Sequence, residues 1–298
     1  MRVLLFIAMQ VAVLVVVGIV GSIIMALLGI RISPGAYGGL FIMCAIFGCV
    51  GSMISLFMSK TMVKSAYGVE IITQPRNDAE AFLLREVASM AQRAGIGMPE
   101  VGIYYSADPN AFATGASKDN ALVAVSSGLL NNMSADEVRG VLGHEISHVA
   151  NGDMVTMTLL QGVLNTFVYF FSYIVAQALS GFMSRSSDEE GSGGGGNFFV
   201  FYLVQSLLQV AFGIGATIIS MWFSRYREYR ADAGSADLEG TERMIMALQK
   251  LQRLSSIEVQ KEGQFSAFCI NGGTSFSELF MSHPPLEKRI AALRARGR

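Results

Sequence analysis

Four long apolar runs constrain the fold of this chain more than any other feature. They cover residues 3–30, 38–58, 155–182 and 198–223. Each run reaches the ~20 apolar residues that a helix needs to cross a lipid bilayer. Hydrophobic residues make up 52% of the 298 residues and charged residues only 15%, whereas soluble domains carry about 25% charged residues. We therefore predict a membrane protein with four transmembrane helices.

The charges that flank these runs predict how the chain lies in the membrane. Basic residues follow the second and fourth runs: Lys60, Lys64, Arg76, Arg225, Arg227 and Arg230. The Gly/Ser-rich loop between the third and fourth runs, residues 184–197, carries one arginine and three acidic residues. Because cytoplasmic loops hold the excess of Lys and Arg, we expect both termini and the polar regions to be cytoplasmic. The first run exceeds the ~7–15 apolar residues of a signal peptide, so we expect a retained anchor.

The polar residues lie in two regions, 60–153 and 224–298. We expect the two regions to form one domain, interrupted in sequence by a transmembrane hairpin over 154–223. Residues 1–59 then hold the first two transmembrane helices. The resulting fold class is an α+β membrane protein that is mostly helical.

The first polar region mixes helical and extended patterns. Residues 78–94 have helical periodicity and stop at Gly95, a typical helix C-terminus. The stretches VGIYY, AFATG and ALVAVS are separated by turn residues and predict a small antiparallel sheet. In the second region, helical patterns cover residues 222–238, 241–255 and 286–296.

A further helix in the first region has clear signals at both ends. Ser134 and Glu137 form a capping box at its start. Gly152 ends the helix, and Asp153 is placed to cap the next one. On the same helix, Gly140, Gly143 and Ser147 share one side. We interpret this row of small residues as a surface for close helix packing.

The helix carries His144, Glu145 and His148 in a His-Glu-x-x-His motif. Residues four apart share one helix face, so the two imidazoles can bind one metal ion. Glu145 projects about 100° round the helix, which suits contact with a water on the metal. Zinc lowers the pKa of such a water towards ~7, and the glutamate takes its proton. The alternative is two histidines on a packed helix face beside a solvated glutamate.

Spacing leaves the third metal ligand open. The positions after the motif where a metzincin needs Gly and His hold Asn151 and Met154. The remaining candidates are His283 and Glu228. Glu228 and Asp232 are four apart on a predicted helix, so one can bind the metal while the other holds a histidine N–H. Ion pairing of Glu228 with a neighbouring arginine explains the same spacing equally well.

The segments HEISHVANGD, EYRADAGSAD, NAFATG and SHPPLEKRIAAL, set around paired apolar runs, resemble the HtpX family of bacterial membrane metalloproteases. That family is related to the CAAX prenyl protease group. The resemblance covers essentially the whole chain and implies a gluzincin-type catalytic domain on the cytoplasmic face of the bacterial inner membrane. It implies one zinc ion per chain on His144, His148 and Glu228. It makes Glu145 the general base and Asp232 a partner of a liganding histidine.

Two further residues are candidates for holding the substrate. Asn110 opens the NAFATG segment, which as an edge strand could pair with an extended peptide. An ordinary turn asparagine explains Asn110 equally well. His283, in SHPP, could stabilise the oxyanion or orient the substrate, or it could be a polar residue beside a helix start.

These features favour a zinc metalloendopeptidase that cleaves membrane proteins or unfolded polypeptides near the cytoplasmic surface. The resemblance adds quality control of misfolded or damaged membrane proteins under stress. A transporter would need charged groups within its spans, and the four runs contain no Asp, Glu, Lys, Arg or His. Cleavage of prenylated CAAX peptides is a third hypothesis, disfavoured because four spans cannot build that group's chamber. With 22 basic and 23 acidic residues, the chain gives no reason to expect nucleic acid as a partner.

Overall fold

The computed structural model describes the backbone of residues 34–185, 195–262 and 281–296. The predicted first transmembrane helix, over residues 3–30, lies outside the described residues. Most of the Gly/Ser-rich loop, 184–197, lies outside them as well.

Three long helices coincide with the other three apolar runs. They are α1 (Pro34–Tyr67), α5 (Asp153–Arg185) and α6 (Gly195–Glu239). Within the described residues, each is long and apolar enough to cross a membrane. The chain is therefore a multi-pass membrane protein. The 45-residue helix α6 continues without a break into the second polar region, as the helical pattern over 222–238 predicts.

The chain divides into two compact units. The first contains Met1–Ser52 and Leu160–Ala216, and within it α1 and α5 come very close together. A Cβ atom on Gly48 would lie 2.7 Å from the carbonyl oxygen of Gly162. Small residues of this kind let membrane helices approach backbone to backbone.

The second unit contains Met53–Leu159 and Thr217–Arg298 and holds both polar regions. Its shorter helices are α2 (Asp78–Ala94), α3 (Ser127–Asn132), α4 (Ala135–Asn151), α7 (Thr241–Glu262) and α8 (Leu286–Arg296). Its strands are β1 (Glu70–Ile71), β2 (Glu100–Tyr104), β3 (Ala111–Ser117) and β4 (Asn120–Ser126).

The four strands form one mixed sheet in the order β1-β2-β4-β3. Strands β2 and β4 are parallel, with Val101 opposite Val123, whereas the two outer pairs are antiparallel. The predicted all-antiparallel sheet is therefore wrong. Strands β3 and β4 pair antiparallel, as predicted. Strand β4, whose side chains are buried almost throughout, lies between β3 and β2. The half-buried β3 is left at the edge of the sheet.

The predicted helix ends are largely confirmed. Helix α2 has the predicted bounds and ends at Gly95 in the left-handed conformation, with φ 66°. Helix α4 begins with the capping box of Ser134 and Glu137 and ends at Gly152, with φ 69°. Asp153 differs from the prediction, since it is the first residue of α5 and its carboxylate turns back towards α4.

Helix α4 lies at the centre of the second unit. Its side chains Leu142, Ile146 and Val149 are fully buried in a core shared with α2, β2 and β4. Its opposite side consists of the predicted small residues and packs closely against α6 and α7. A Cβ atom on Gly140 would lie 2.6 Å from the Arg243 carbonyl oxygen. This close packing sets the position of the His-Glu-x-x-His helix against α6.

Candidate metal centre

His144 and His148 present their imidazoles on one face of α4, as the spacing predicts. Their rings are perpendicular, with centroids 4.6 Å apart. The two Nε2 atoms face each other at 3.1 Å. His144 is buried and His148 is half-buried, and both imidazoles border a cavity of about 350 Å³.

Glu228 on α6 completes a group of three possible ligands. Its Oε1 lies 3.3 Å from His148 Nε2, and its Oε2 lies 3.4 Å from His144 Nε2. One ligand atom from each of the three residues falls within 4.8 Å of the others. The Glu228 side chain is buried, and Oε2 receives no hydrogen bond of good geometry. Among the described residues, this is the group that could hold a metal ion.

Each imidazole is held on its other nitrogen by a carboxylate. Asp232 Oδ1 lies 2.9 Å from His144 Nδ1, and Asp153 Oδ2 lies 2.7 Å from His148 Nδ1. Such carboxylates keep the ring proton on Nδ1 and leave the Nε2 lone pair free for a metal. Arg227 also donates from Nη1 to the Asp153 carbonyl oxygen at 2.8 Å, which ties α6 to the start of α5.

The donor set fits a divalent cation. Two Nε2 lone pairs and a buried carboxylate converge on one point, and in the absence of a cation they would repel one another. Two histidines and a glutamate form a three-ligand set typical of catalytic zinc, with one coordination position left open. These residues would therefore hold the ion between α4 and α6.

The electrostatics of the two imidazoles agree with a site that favours positive charge. Burial by itself lowers the pKa of the His148 imidazole, but its contacts with Asp153 and Glu228 outweigh burial and raise the pKa to about 10. For His144, burial likewise lowers the pKa, and the contacts with Asp232 and Glu228 reverse that effect, so the pKa rises.

Arg289 on α8 is a buried member of the site that the sequence reasoning missed. It binds Asp232 through two hydrogen bonds, and its Nη1 lies 3.1 Å from Glu228 Oε2. Burial lowers the pKa of the guanidinium, but Asp232 outweighs burial and the pKa rises. The sequence signal was an arginine on the apolar side of a short helix, three residues after Leu286 and four before Leu293.

Asp153 was also missed as a partner of His148. The sequence signal was its position directly after the Gly152 helix end, which we interpreted as a cap for the next helix. The left-handed Gly152 reverses the chain, and this reversal brings the Asp153 carboxylate back to an imidazole in the last turn of α4.

The other predicted site residues line the space in front of the three ligands. Glu145 is half-buried and borders two cavities, of about 390 Å³ and 350 Å³. Asn110 and His283 border both cavities as well. His283 Nδ1 lies 2.9 Å from Glu228 Oε2, and its side chain is 63% exposed. His283 therefore contacts Glu228 from the solvent side.

Comparison with known proteins finds relatives that match nearly the whole chain. The sequence profile of peptidase family M48 matches residues 77–297. The chain is 55% identical to Protease HtpX from Pectobacterium atrosepticum over 296 residues, covering 99% of this chain and 98% of the relative. Protease HtpX from Aliivibrio fischeri is 54% identical over 293 residues, with 98% and 99% of the two chains covered.

The fold is also similar to a solved structure. The crystal structure of S. mikatae Ste24p aligns with a TM-score of 0.63 and 21% sequence identity. The alignment covers 92% of this chain and 66% of that chain. At this identity the likeness concerns the fold alone. The sequence matches show that the chain belongs to the HtpX proteases of peptidase family M48 and is a membrane metalloendopeptidase.

Proposed function

We propose that the chain is a zinc-dependent endopeptidase that cleaves misfolded or damaged membrane proteins on the cytoplasmic side of the bacterial inner membrane. In this proposal His144, His148 and Glu228 hold one zinc ion per chain. The observation that carries it is the convergence of these three ligand atoms within 4.8 Å, beside Glu145.

The bound zinc would act as a Lewis acid on the peptide carbonyl and on the attacking water. Glu145, on the cavity wall next to the ligands, accepts the proton of that water and passes it to the leaving amine. Asp232 and Asp153 keep the two imidazoles oriented through Nδ1. His283, exposed on the same wall, donates a hydrogen bond to the carbonyl oxygen as it gains negative charge.

Strand β3 supplies a surface for the polypeptide substrate. Among the described strands it has a neighbour on one side only, β4. Its residues Ala111–Ala113 border the cavity that contains His144 and Glu145. An extended peptide that adds to this edge would lie along the site, held by main-chain hydrogen bonds. Asn110, at the end of the strand, contacts the peptide in this arrangement.

The proposed location follows from the helices that carry the site. Asp153 is the first residue of α5, and Glu228 belongs to α6. Both helices are apolar enough to cross a membrane. The metal centre thus lies close in sequence to the polar ends of two spans. The basic residues at those ends favour the cytoplasmic side. A site there would meet the cytoplasmic segments of unstable membrane proteins, which fits a role in quality control under stress.

The direct test is proteolysis by the full chain, purified in detergent and supplied with zinc. An unfolded membrane protein and casein should be cut by the parent, and Glu145→Gln should lose activity by at least ~10²-fold while still binding zinc. Glu242→Gln, an exposed glutamate on α7, is the matched control and should keep full activity. Full activity of Glu145→Gln would refute the mechanism.

Two further measurements address the substrate and the orientation. Comparing the cleavage rates of a farnesylated CAAX peptide and of the unfolded membrane protein separates the two protease hypotheses, and we expect preferential cleavage of the membrane protein.

The orientation is tested in intact cells that carry the protein with cysteines introduced into loop 184–197. These cysteines should react with a reagent that does not cross the inner membrane. Protection of that loop, with reaction of the polar domain, would reverse the proposed orientation.

A further inference from the structure

A cavity of about 250 Å³ lies beside α6, where the apolar run of that helix ends. One wall is formed by side chains of α6: Trp222, Arg225, Tyr226 and Tyr229. Their spacing of three and four residues places them on one face of the helix. Glu228, the candidate metal ligand on α6, does not border this cavity. The cavity is therefore separate from the metal centre.

The aromatic residues of this wall are typical of a membrane surface. The apolar run over 198–223 holds Trp222, the single tryptophan of the chain, next to its last residue. Tyr226 follows one turn later, and both rings are exposed. Trp and Tyr are enriched where a helix passes from hydrocarbon to headgroups, because their rings are apolar and carry one polar group. Since α6 is long and apolar enough to cross a membrane, we expect this wall at the headgroup level of the bilayer.

The rest of the lining comes from the start of α8. Pro284, Pro285 and Lys288 border the cavity, and Lys288 lies exposed in the first helical turn. That turn is the positive end of the helix dipole, which attracts anions. Glu287, the acidic residue of the turn, accepts a hydrogen bond from Gln252 at 2.6 Å and does not border the cavity. The α8 side of the cavity therefore favours negative charge.

Two cations border the cavity, Arg225 from α6 and Lys288 from α8. Among the described residues that border it, there is no Asp or Glu. Arg225 Nη1 donates to the Met281 carbonyl oxygen at 2.9 Å, which holds the arginine beside the chain that leads into α8. Guanidinium and ammonium groups are common partners of phosphate in proteins. The lining thus combines an aromatic surface with two groups that bind phosphate.

A quaternary ammonium group is the other ligand that the three aromatic rings suggest. The two cations argue against it, because like charges in one small cavity repel each other. The volume also lies below the ~300–1,000 Å³ of pockets that enclose a drug-sized molecule. A single phosphate headgroup at the bilayer surface fits both the charge and the size.

We propose that this cavity binds the phosphate group of an anionic phospholipid from the bilayer that α6 crosses. Arg225 and Lys288 bind the phosphate, and Trp222 and Tyr226 contact the glycerol and the upper part of the acyl chains. Basic pockets beside membrane helices hold anionic headgroups in this way. The binding site does not depend on the proposed endopeptidase function.

The test uses Trp222 as the reporter, because it is the single tryptophan and borders the cavity. The full chain, in micelles of a neutral detergent, is titrated with phospholipids whose brominated acyl chains quench tryptophan fluorescence. Phosphatidylglycerol should quench at a roughly 10-fold lower mole fraction than phosphatidylcholine with the same chains. Equal quenching by the two lipids, or stronger quenching by phosphatidylcholine, would overturn the proposal.

Two variants remove the cations of the lining. Lys288→Gln should lower the relative affinity for phosphatidylglycerol by roughly 5-fold, the contribution of one cation at a membrane surface. Arg225→Gln combined with Lys288→Gln should bring the two lipids to nearly equal affinity.

Arg230→Gln is the matched control, because Arg230 is exposed on α6 and does not border the cavity. This variant should keep the lipid preference of the parent. An equal loss of preference in Arg230→Gln and Lys288→Gln would indicate a general effect of surface charge and would overturn the binding site.

A competition experiment distinguishes a lipid from a soluble phosphate compound. Inorganic phosphate, added to the parent with bound brominated phosphatidylglycerol, should relieve the quenching no more than sodium chloride at the same ionic strength. The reason is that the acyl chains of a lipid concentrate its phosphate at the headgroup level. Greater relief by inorganic phosphate would assign the cavity to a soluble phosphate compound and would overturn the proposal.

Discussion

Arg289 and Asp232 form a buried ion pair with two hydrogen bonds, directly behind a candidate metal ligand. Arg289 Nε donates to Asp232 Oδ2 at 2.8 Å and Nη2 donates to Oδ1 at 2.5 Å, and the same Oδ1 lies 2.9 Å from His144 Nδ1. Both side chains are at most 7% exposed. The arginine thus neutralises and fixes the carboxylate that orients the imidazole.

Arg289→Ala should therefore damage both stability and metal binding. Removing one member of a buried pair leaves an unpaired charge, which costs about 3–5 kcal/mol. Arg289→Lys should restore part of the stability but less of the metal affinity, because an ammonium group cannot make the planar two-point contact. Thermal unfolding and zinc titration measure the two effects. Arg294→Ala, at an exposed position of the same helix, should match the parent in both.

Glu228→Gln should bind zinc far more weakly than the parent, because the charged third ligand is lost. His283→Asn should keep the metal and lose catalytic rate, since the exposed imidazole contacts Glu228 from outside the group of three ligands. Metal content after dialysis and the rate of casein cleavage distinguish the two variants. If Glu228→Gln held zinc as tightly as the parent, the third ligand would have to be reassigned to His283.

Asp153→Asn should lower zinc affinity by about 10- to 100-fold, the usual effect of losing a carboxylate behind a liganding histidine. The amide keeps the size of the side chain but no longer fixes the proton on His148 Nδ1. Competition with a chelator of known affinity measures the change. Asp237→Asn, which alters an exposed carboxylate on α6, should leave the affinity unchanged. Equal affinities for both variants would show that Asp153 does not orient the ligand.

Gly140→Val should separate α4 from α7 and reduce activity without touching a catalytic group. A Cβ atom there would lie 2.6 Å from the Arg243 carbonyl oxygen and 3.0 Å from Ala247 Cβ. Overpacking of this kind costs about 1–3 kcal/mol. Thermal unfolding in detergent should show the loss. Gly215→Val on α6 is the control, because among the described residues no atom outside the helix's own backbone lies within 4 Å of the added Cβ. An equal loss of stability there would contradict the proposed effect of close packing.

Local features of the sequence predicted much of the fold. The apolar runs, the capping box at Ser134 and the helix ends at Gly95 and Gly152 depend on neighbouring residues, and the structure contains all of them within its described part. The parallel pairing of β2 with β4 could not be predicted in this way. Both strands are apolar, so their sequences do not say which strands become neighbours. The order of the strands depends on how the helices pack against the sheet.

For the site, the sequence by itself determined that His144, Glu145 and His148 share a helix, because helical spacing is a local property. It left Glu228 and His283 as alternatives for the third ligand, since spacing says nothing about residues on separate elements. Only the tertiary structure brought Glu228 within 3.3 Å of His148 Nε2. It also decided what lies behind the imidazoles, because Asp153 reaches His148 through a chain reversal and Arg289 reaches Asp232 through a packed helix. Contacts of that kind come from three-dimensional packing and leave no periodic signal in the sequence.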